Sequence, residues 1–190
     1  MKFAIIGGMG SGKSSVTQCL AARGKHTYDC DIIARGIMEE DSYIALVDEC
    51  FPGVVKNGIV DRKLLGNIVF NDKSKLELLN SLIHPLVKSR LKSFAKLCGK
   101  NDFFVEVSAY IGSGLEEFFD KVICVVADEE VRIDRAMQHN GYSREHCLSI
   151  LRSQPSQQQL TDISDFVIYN DKDFEYLYSQ IEDVLEQCKI

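Results

Sequence analysis

A glycine-rich stretch near the start of the chain, Gly7–Ser14, carries residue types that bind a phosphate chain. It matches the pattern G-x-x-x-x-G-K-[ST]. The fixed places of that pattern are held by Gly7, Gly12, Lys13 and Ser14. Glycines let the backbone turn so that successive N–H groups point at one phosphate. A lysine here reaches the β- and γ-phosphates, and the serine hydroxyl ligates Mg²⁺. The stretch therefore predicts a nucleotide-binding P-loop.

The flanking residues place this loop between a strand and a helix. The run Lys2–Ile6 predicts a strand before it, and a helix is expected over about Lys13–Ala22. The start of that helix adds its dipole and N–H groups to anion binding. The loop and helix residues expected to bind ATP are Gly8, Met9, Gly10, Ser11, Gly12, Lys13, Ser14 and Ser15.

The composition of the chain limits the class of protein. Its 190 residues are enough for one sizeable core, and 45% apolar and 26% charged residues are typical of soluble globular proteins. No apolar run approaches the length of a membrane span, and a first strand starting at Lys2 leaves no room for a signal peptide, so a cytoplasmic location is expected. The net charge of −6 argues against general binding of nucleic acids or anionic membranes. The seven cysteines form no C-x-x-C pair and indicate reduced thiols.

Strand and helix patterns alternate, which predicts an α/β fold with a central parallel sheet and helices on both faces. The later strands are expected at Thr27–Asp29, Phe103–Val107, Val122–Val126 and Phe166–Ile168. The segment 42–98 is predicted to be entirely helical, with a turn at Asn57-Gly58. Pro85 is expected to kink its long helix, Lys73–Cys98, or to begin a new one. We interpret 42–98 as a helical subdomain inserted into a single domain, 1–190.

Acidic side chains follow two of these strands. Asp29 and Asp31 stand at the end of the second strand, and Glu106 stands at the end of the third. In an open α/β sheet, ligands bind beyond the carboxyl ends of the strands. A kinase needs one carboxylate to accept the proton of the attacking hydroxyl and often another to hold Mg²⁺ through water, which suits Asp31 and Glu106. The alternatives are a plain helix N-cap for Asp31 and a solvated strand end for Glu106.

Several cations are candidates for binding phosphates. Arg35 lies one helical turn after Asp31, on the same helix face. The other candidates are Arg62, His84, Arg132, Arg135, Arg144 and Arg152. Since most arginines are solvated surface residues, each alone is weak as a site prediction, and a histidine before a proline is more often capped or in the core.

Five segments together resemble the dephospho-coenzyme A kinase family. They are Gly7–Ser14, Asp29–Arg35, Asp61–Leu65 with Val69-Phe70, Leu79-Asn80 with His84-Pro85, and Ser164–Asn170. The glycine loop alone indicates only an NTPase. The D-x-D-I-I-A-R and L-N…H-P segments narrow the resemblance to this family, and the order and spacing cover nearly the whole chain.

The resemblance implies a three-layer P-loop kinase fold with a helical coenzyme-binding subdomain and a lid at about 138–162. It implies transfer of the ATP γ-phosphate to the ribose 3′-hydroxyl of dephospho-coenzyme A, the last step of coenzyme A biosynthesis, with Mg²⁺ as cofactor. A monomer or weak homo-oligomer is expected. The catalytic residues that the resemblance implies are Asp31, as the base, with Lys13 and Arg135. The residues implied to face the acceptor are Asp31, Arg35, Arg62 and His84. Asn170 is implied to lie near the adenine, and Ser14 and Glu106 to hold the metal.

Three departures from the family pattern bear on the lid and the acceptor. The usual Asp-Val-Pro-Leu-Leu-Phe-Glu after the third strand is here Glu-Val-Ser-Ala-Tyr-Ile-Gly, with Ser108 for Pro and Gly112 for the last Glu. A lid arginine is replaced by His139, and 155–160 lacks a basic residue that is often present. A single such arginine is worth ~10³ or more in rate. The arginines that could compensate are Arg132, Arg135, Arg144 and Arg152.

Two other functions stay open at this stage. One is a P-loop kinase for another nucleoside or nucleotide, with 108–112 reshaping the acceptor pocket. The other is a catalytically weak relative that binds ATP or coenzyme A and acts through a partner. The depleted lid supports the second.

Overall fold

The computed structural model describes residues 1–70 and 72–190. The strands are β1 (Lys2–Ile6), β2 (His26–Asp29), β3 (Val55–Lys56), β4 (Ile59–Val60), β5 (Phe103–Glu106), β6 (Lys121–Val126) and β7 (Phe166–Tyr169). The helices are α1 (Lys13–Ala22), α2 (Cys30–Ile37), α3 (Asp41–Cys50), α4 (Arg62–Phe70), α5 (Lys73–Cys98), α6 (Glu129–Asn140), α7 (Arg144–Ser153), α8 (Gln157–Asp162) and α9 (Phe174–Cys188). Glu116–Phe118 form a 3₁₀ turn.

By its internal contacts the chain divides into two compact units. We call Met1–Asp29 with Leu97–Ile190 the P-loop unit, and Cys30–Lys96 the inserted unit. The predicted subdomain, 42–98, falls almost wholly within the inserted unit, which also takes in α2.

A five-stranded sheet forms the centre of the P-loop unit. Its strand order is β2-β5-β1-β6-β7, and every neighbouring pair is parallel. In this register Asp29 lies beside Glu106 and Ile5 also lies beside Glu106. The predicted parallel sheet is therefore confirmed, and its carboxyl edge carries two of the three acidic residues expected there, Asp29 and Glu106.

Both faces of this sheet are buried. Phe3, Ile5 and Ile168 pack against α1 and α9 in one apolar cluster. The alternate side chains of β1, Ala4 and Ile6, are also fully buried. Successive side chains of a strand point to opposite faces, so a strand buried on both faces is a nearly continuous apolar run. The sheet thus forms the middle layer of the unit.

The last strand, β7, lies at one end of the sheet. The backbone N–H of Tyr169 donates to Oε1 of Gln180 at 2.8 Å, and Nε2 of Gln180 donates to the Tyr169 carbonyl at 2.7 Å. The amide of one side chain from α9 therefore pairs both backbone groups of Tyr169.

Local signals define α6, α7 and α8. Gly141 ends α6 in the left-handed region at φ 67°, and the Ser143 side chain caps α7 by accepting from the His146 N–H. The sequence did not identify α8. Ser156 and Gln159 form a capping box at its start, which offsets the weak propensity of such a short polar segment.

The inserted unit is not entirely helical, so that prediction is wrong. β3 and β4 form an antiparallel hairpin whose turn is Asn57-Gly58, both with positive φ (53° and 75°). Asn-Gly is the favoured pair for such a two-residue turn, but each strand has only two residues and leaves little periodicity to detect. Asp61 caps α4 by accepting from the Leu64 N–H at 3.0 Å. α5 continues through Pro85, so no new helix begins there.

Within residues 1–70 and 72–190, no helix combines the length and the apolar character that crossing a membrane requires. No disulfide links the cysteines in this part of the chain, as their number and spacing predict.

Candidate active site

The P-loop, Gly7–Ser14, encloses the ammonium group of Lys13. Nζ of Lys13 donates to the Gly7 carbonyl at 3.0 Å and lies 3.5 Å from the Gly8 carbonyl oxygen, and the residue is only 9% exposed. The loop turns through positive φ at Gly10 (72°) and Gly12 (96°). A β-carbon at Gly12 would collide with the Asn170 side chain, so both the conformation and the close approach require glycine there.

Ser14 and Glu106 meet at the start of α1. Oγ of Ser14 donates to Oε1 of Glu106 at 3.1 Å, and the Thr17 hydroxyl donates to Oε2 at 3.4 Å. Glu106 is only 8% exposed, so it is not a solvated strand end. Burial raises the pKa of its carboxyl, an effect that the nearby Lys13 charge partly opposes and the Asp29 charge strengthens. Ser14 and Glu106 offer only oxygen atoms as metal ligands, the ligand type that hard divalent cations prefer.

The raised pKa of Glu106 makes a stability prediction. Below the ordinary pKa of glutamate, about 4.3, the carboxyl is protonated in folded and unfolded chains alike; as pH rises through the higher folded pKa, ionising the buried group costs stability. Glu106→Gln keeps the neutral shape, so it should raise the Tm of the nucleotide-free protein near pH 7 by a few degrees, about 2–4 °C per kcal/mol in a protein of this size.

Thermal melts of the variant from about pH 4 to 8 should show the gain shrinking toward the acid end. Glu117→Gln, at an exposed glutamate of the same unit, is the matched control and should shift little. A Glu106→Gln protein less stable than wild type near neutral pH would contradict the assignment.

Arg135 and Asn170 both bind the P-loop backbone. Nδ2 of Asn170 donates to the Ser11 carbonyl at 2.8 Å. The Arg135 guanidinium donates to the Asn170 carbonyl at 2.9 Å and to the Gly10 carbonyl at 3.4 Å. The structure therefore brings these two predicted residues to the loop from α6 and from the end of β7.

Arg132 is a further site residue, which the sequence offered only as one of several candidate cations. Its Nε donates to the Met9 carbonyl at 3.0 Å, and the residue is 6% exposed. Arg132 and Arg135 are three residues apart in α6, a spacing that puts both on one helix face. That spacing was the available signal.

The segment 138–162 contributes less positive charge to the P-loop than α6 does. Arg144 forms a two-fold hydrogen-bonded ion pair with Glu130 at 2.6 and 2.8 Å, and both side chains are exposed. Arg152 is exposed. Gln157, in the stretch that lacks the usual basic residue, accepts from the Ala127 N–H at 3.0 Å. Arg132 and Arg135 of α6, by contrast, both donate to carbonyls of the P-loop.

A cavity of about 830 Å³ lies beside the loop, a size suited to a nucleotide. Its walls come from the P-loop and α1, from the end of α6, and from the start of α9. The predicted ATP residues that line it are Gly10, Gly12, Lys13, Ser14, Ser15 and Asn170. His139 and Phe174 line it too, and Phe174 is 63% exposed. An aromatic ring there offers a face for a base.

The remaining predicted loop residues lie elsewhere. Gly8 lines a second cavity of about 300 Å³, together with Ser108–Ile111 and Gln154. Ser11 is fully buried. The Met9 N–H donates to Oε1 of Gln154 at 2.9 Å. The segment that departs from the family pattern after β5 therefore borders the loop on the side of Gly8.

The residues predicted to face the acceptor belong to the inserted unit. Asp31 is the second residue of α2 and is exposed, so it is not at the N-cap position. Arg35 is in the last turn of α2 and is exposed. Arg62 begins α4 and pairs with Glu39 at 3.3 Å. His84 is half-buried within α5.

Comparison with known proteins decides the family. The family model for dephospho-CoA kinase (CoaE) matches residues 1–175. The chain belongs to the dephospho-CoA kinase family. It is 35% identical over 184 residues to the dephospho-CoA kinase of Fusobacterium nucleatum, with 96% of this chain and 95% of that protein covered.

Solved structures agree. TT1252 from Thermus thermophilus superposes with a TM-score of 0.89 at 28% identity, covering 98% of this chain and 97% of that one. The dephospho-CoA kinase from Campylobacter jejuni superposes with a TM-score of 0.73 at 26% identity, covering 99% and 98%. The resemblance, the P-loop kinase fold and a kinase function in coenzyme A biosynthesis are thereby confirmed. A kinase of this family uses a phosphate-donor nucleotide with a metal ion.

Proposed function

We propose that this chain transfers the γ-phosphate of ATP to the ribose 3′-hydroxyl of dephospho-coenzyme A, giving coenzyme A and ADP. The observation that carries the proposal is the P-loop assembly: Lys13 inside the loop, Ser14 on Glu106, and Arg135 on the loop backbone. That assembly suits a triphosphate, and the acceptor follows from the curated relatives, which are named dephospho-CoA kinases.

The triphosphate is proposed to lie along the P-loop with its base in the 830 Å³ cavity. The dipole of α1 and the backbone N–H groups of Gly10, Gly12, Lys13 and Ser14 would hold the phosphates. Lys13 would neutralise the β- and γ-phosphates, and Arg135 would face the transferring group. Asn170 and Phe174 would border the adenine.

The metal is proposed to be Mg²⁺, held by the Ser14 hydroxyl and, through water, by Glu106. When bound, Mg²⁺ would offset the negative charge that develops on the phosphate oxygens. The arrival of a cation would lower the pKa of Glu106, because an opposite charge favours the ionised carboxylate.

Asp31 is proposed as the base that accepts the proton of the 3′-hydroxyl. It is exposed in the first turn of α2, and a carboxylate is a suitable proton acceptor. Arg35, Arg62 and His84 are proposed to bind the acceptor. The segment 138–162 is proposed as the lid, and the inserted unit as the coenzyme-binding subdomain.

We further propose a cytoplasmic protein that acts as a monomer or weak homo-oligomer, without a nucleic-acid or membrane partner. The net charge of −6 supports the absence of a nucleic-acid or anionic-membrane partner, because polyanions repel an acidic protein.

The decisive experiment is an acceptor panel. Purified protein with Mg²⁺ and ATP should form ADP when dephospho-coenzyme A is added and not with adenosine, AMP or other nucleosides, and mass spectrometry should show one added phosphoryl group. A Lys13→Met protein, prepared in the same way, measures contaminating kinase.

The panel also separates the other candidates. ADP formation with a nucleoside but not with dephospho-coenzyme A would indicate a different P-loop kinase. The absence of turnover with every acceptor would indicate a binding relative. The ion-paired Arg144 and the hydrogen-bonded Gln157 favour that second candidate, whereas Arg132 and Arg135 beside the loop favour an active enzyme.

A further inference from the structure

Met9, at the tip of the P-loop, has both of its backbone polar groups hydrogen-bonded to side chains. Its N–H donates to Oε1 of Gln154 at 2.9 Å, and its carbonyl accepts from Nε of Arg132 at 3.0 Å. Arg132 belongs to α6 and Gln154 is the C-cap residue of α7. The two peptides that flank the Met9 α-carbon are therefore held from two different elements.

The Met9 side chain is held as well. It packs against the apolar cluster that joins α6 to α7, whose buried members are Ile133, Ala136 and Cys147. A β-carbon on the preceding residue, Gly8, would collide with the Arg132 guanidinium and lie 3.1 Å from Oε1 of Gln154. The Arg132 and Gln154 side chains thus both lie against Gly8 and Met9, and they leave no space for a β-carbon on Gly8.

The local sequence places Gln154 for this contact. Its backbone is extended (φ −88°, ψ 156°), its N–H closes the last turn of α7 on Ile150, and Pro155 prevents the helix from continuing. Three residues later, Gln157 binds the Ala127 N–H that precedes α6. Gln154 and Gln157 thus hold the connection between α7 and α8 against the backbone at two places, Met9 and Ala127.

We infer that Gln154 is a positioning residue of the P-loop. By holding the Met9 N–H away from the phosphates, Gln154 fixes the start of the loop ahead of the N–H groups that are proposed to bind the phosphates. Met9 is then an anchor of the loop and not a ligand of ATP. The inference rests on the proposed function only in taking a triphosphate as the ligand.

The expected consequence is a loss of nucleotide affinity. A part-buried N–H that loses its acceptor is less stable in its present position, so the loop would spend part of its time in other conformations. The apparent affinity for the nucleotide is the intrinsic affinity multiplied by the fraction of molecules in the binding-competent conformation, so it falls as that fraction falls. Residues that bind the acceptor are unaffected by this change.

The test compares Gln154→Met with Gln158→Met. Methionine keeps the length of glutamine but cannot accept the Met9 hydrogen bond. Gln158 is exposed on α8 and its side-chain amide donates to Asp162, away from the P-loop, so its variant is the matched control. For Gln154→Met, the Kd of Mg²⁺-ATP and of inorganic tripolyphosphate and the KM for ATP should rise about tenfold, with the KM for dephospho-coenzyme A changed less than about twofold.

Two further readouts separate positioning from general structural support. Amide hydrogen exchange should quicken in the peptide that contains Met9 and stay unchanged in α9, and the Tm should match that of Gln158→Met. A Gln154→Met protein with wild-type affinity for tripolyphosphate and wild-type exchange at Met9 would overturn the inference. A wild-type protein that binds Mg²⁺-ATP but does not phosphorylate dephospho-coenzyme A would defeat the proposed function alone.

Discussion

Replacing Asp31 with asparagine is expected to lower kcat for dephospho-coenzyme A by about 10²- to 10⁴-fold, the range that a general base contributes. The amide keeps the shape of the side chain but cannot take the proton of the attacking hydroxyl. The Kd of Mg²⁺-ATP should stay within about twofold, because the proposed nucleotide ligands all lie in the P-loop unit, whereas Asp31 lies in the inserted unit.

Asp41→Asn is the matched control for this variant. Like Asp31, Asp41 is an exposed aspartate in the first turn of a helix of the inserted unit, so the two substitutions change the same charge in the same kind of position. Steady-state kinetics with both substrates and calorimetry with ATP would be measured for each protein. Near-normal kcat in Asp31→Asn, or an equal loss in Asp41→Asn, would remove Asp31 from the role of base.

Replacing Arg135 with methionine is expected to lower kcat by about 10³-fold or more, the effect of losing an arginine that faces a transferring phosphoryl group. Arg135 is held at the loop by the carbonyls of Gly10 and Asn170 and lines the nucleotide cavity. Arg144→Met should change kcat by no more than a few-fold, since an exposed ion pair contributes little.

These two arginine variants also test whether Arg135 or Arg144 supplies positive charge that the proposed lid, 138–162, lacks. A larger loss in Arg144→Met than in Arg135→Met would mean that Arg144 leaves Glu130 and reaches the phosphates in the closed complex. A loss of kcat confined to Arg135→Met would mean that α6 supplies the positive charge at the transferring phosphate. Gln157 would then serve to hold the backbone at Ala127 and not to bind phosphate.

The fold was largely predictable because the strands of the sheet are short apolar runs bounded by clear turn residues. The P-loop pattern located the phosphate site, and the order of strands and helices indicated a parallel sheet. The hairpin β3–β4 was missed because two-residue strands carry almost no periodicity. Helix α8 was missed because a capping box, and not an apolar face, defines its start.

From the residues themselves, the candidate site was predictable where a side chain stands in a motif or at the end of a strand. Lys13 and Ser14 stand in the P-loop pattern, Glu106 ends a strand, and Arg135 and Asn170 followed from the family resemblance. Arg132 and Gln154 act through the backbone of Met9, 123 and 145 positions away in sequence, and no local pattern predicts a partner at that distance. Their contacts depend on how α6 and α7 pack, which is a tertiary property.

The Gln180 side chain has a consequence for how copies of this protein meet. An edge strand with open N–H and C=O groups is a template for pairing with a strand of another chain, which leads to aggregation or swapping. Here the primary amide of Gln180 imitates a neighbouring peptide and occupies both groups of Tyr169. A foreign strand cannot extend the sheet past that residue without displacing Gln180, so β7 is protected against edge-to-edge polymerisation at the point where its backbone would otherwise be open.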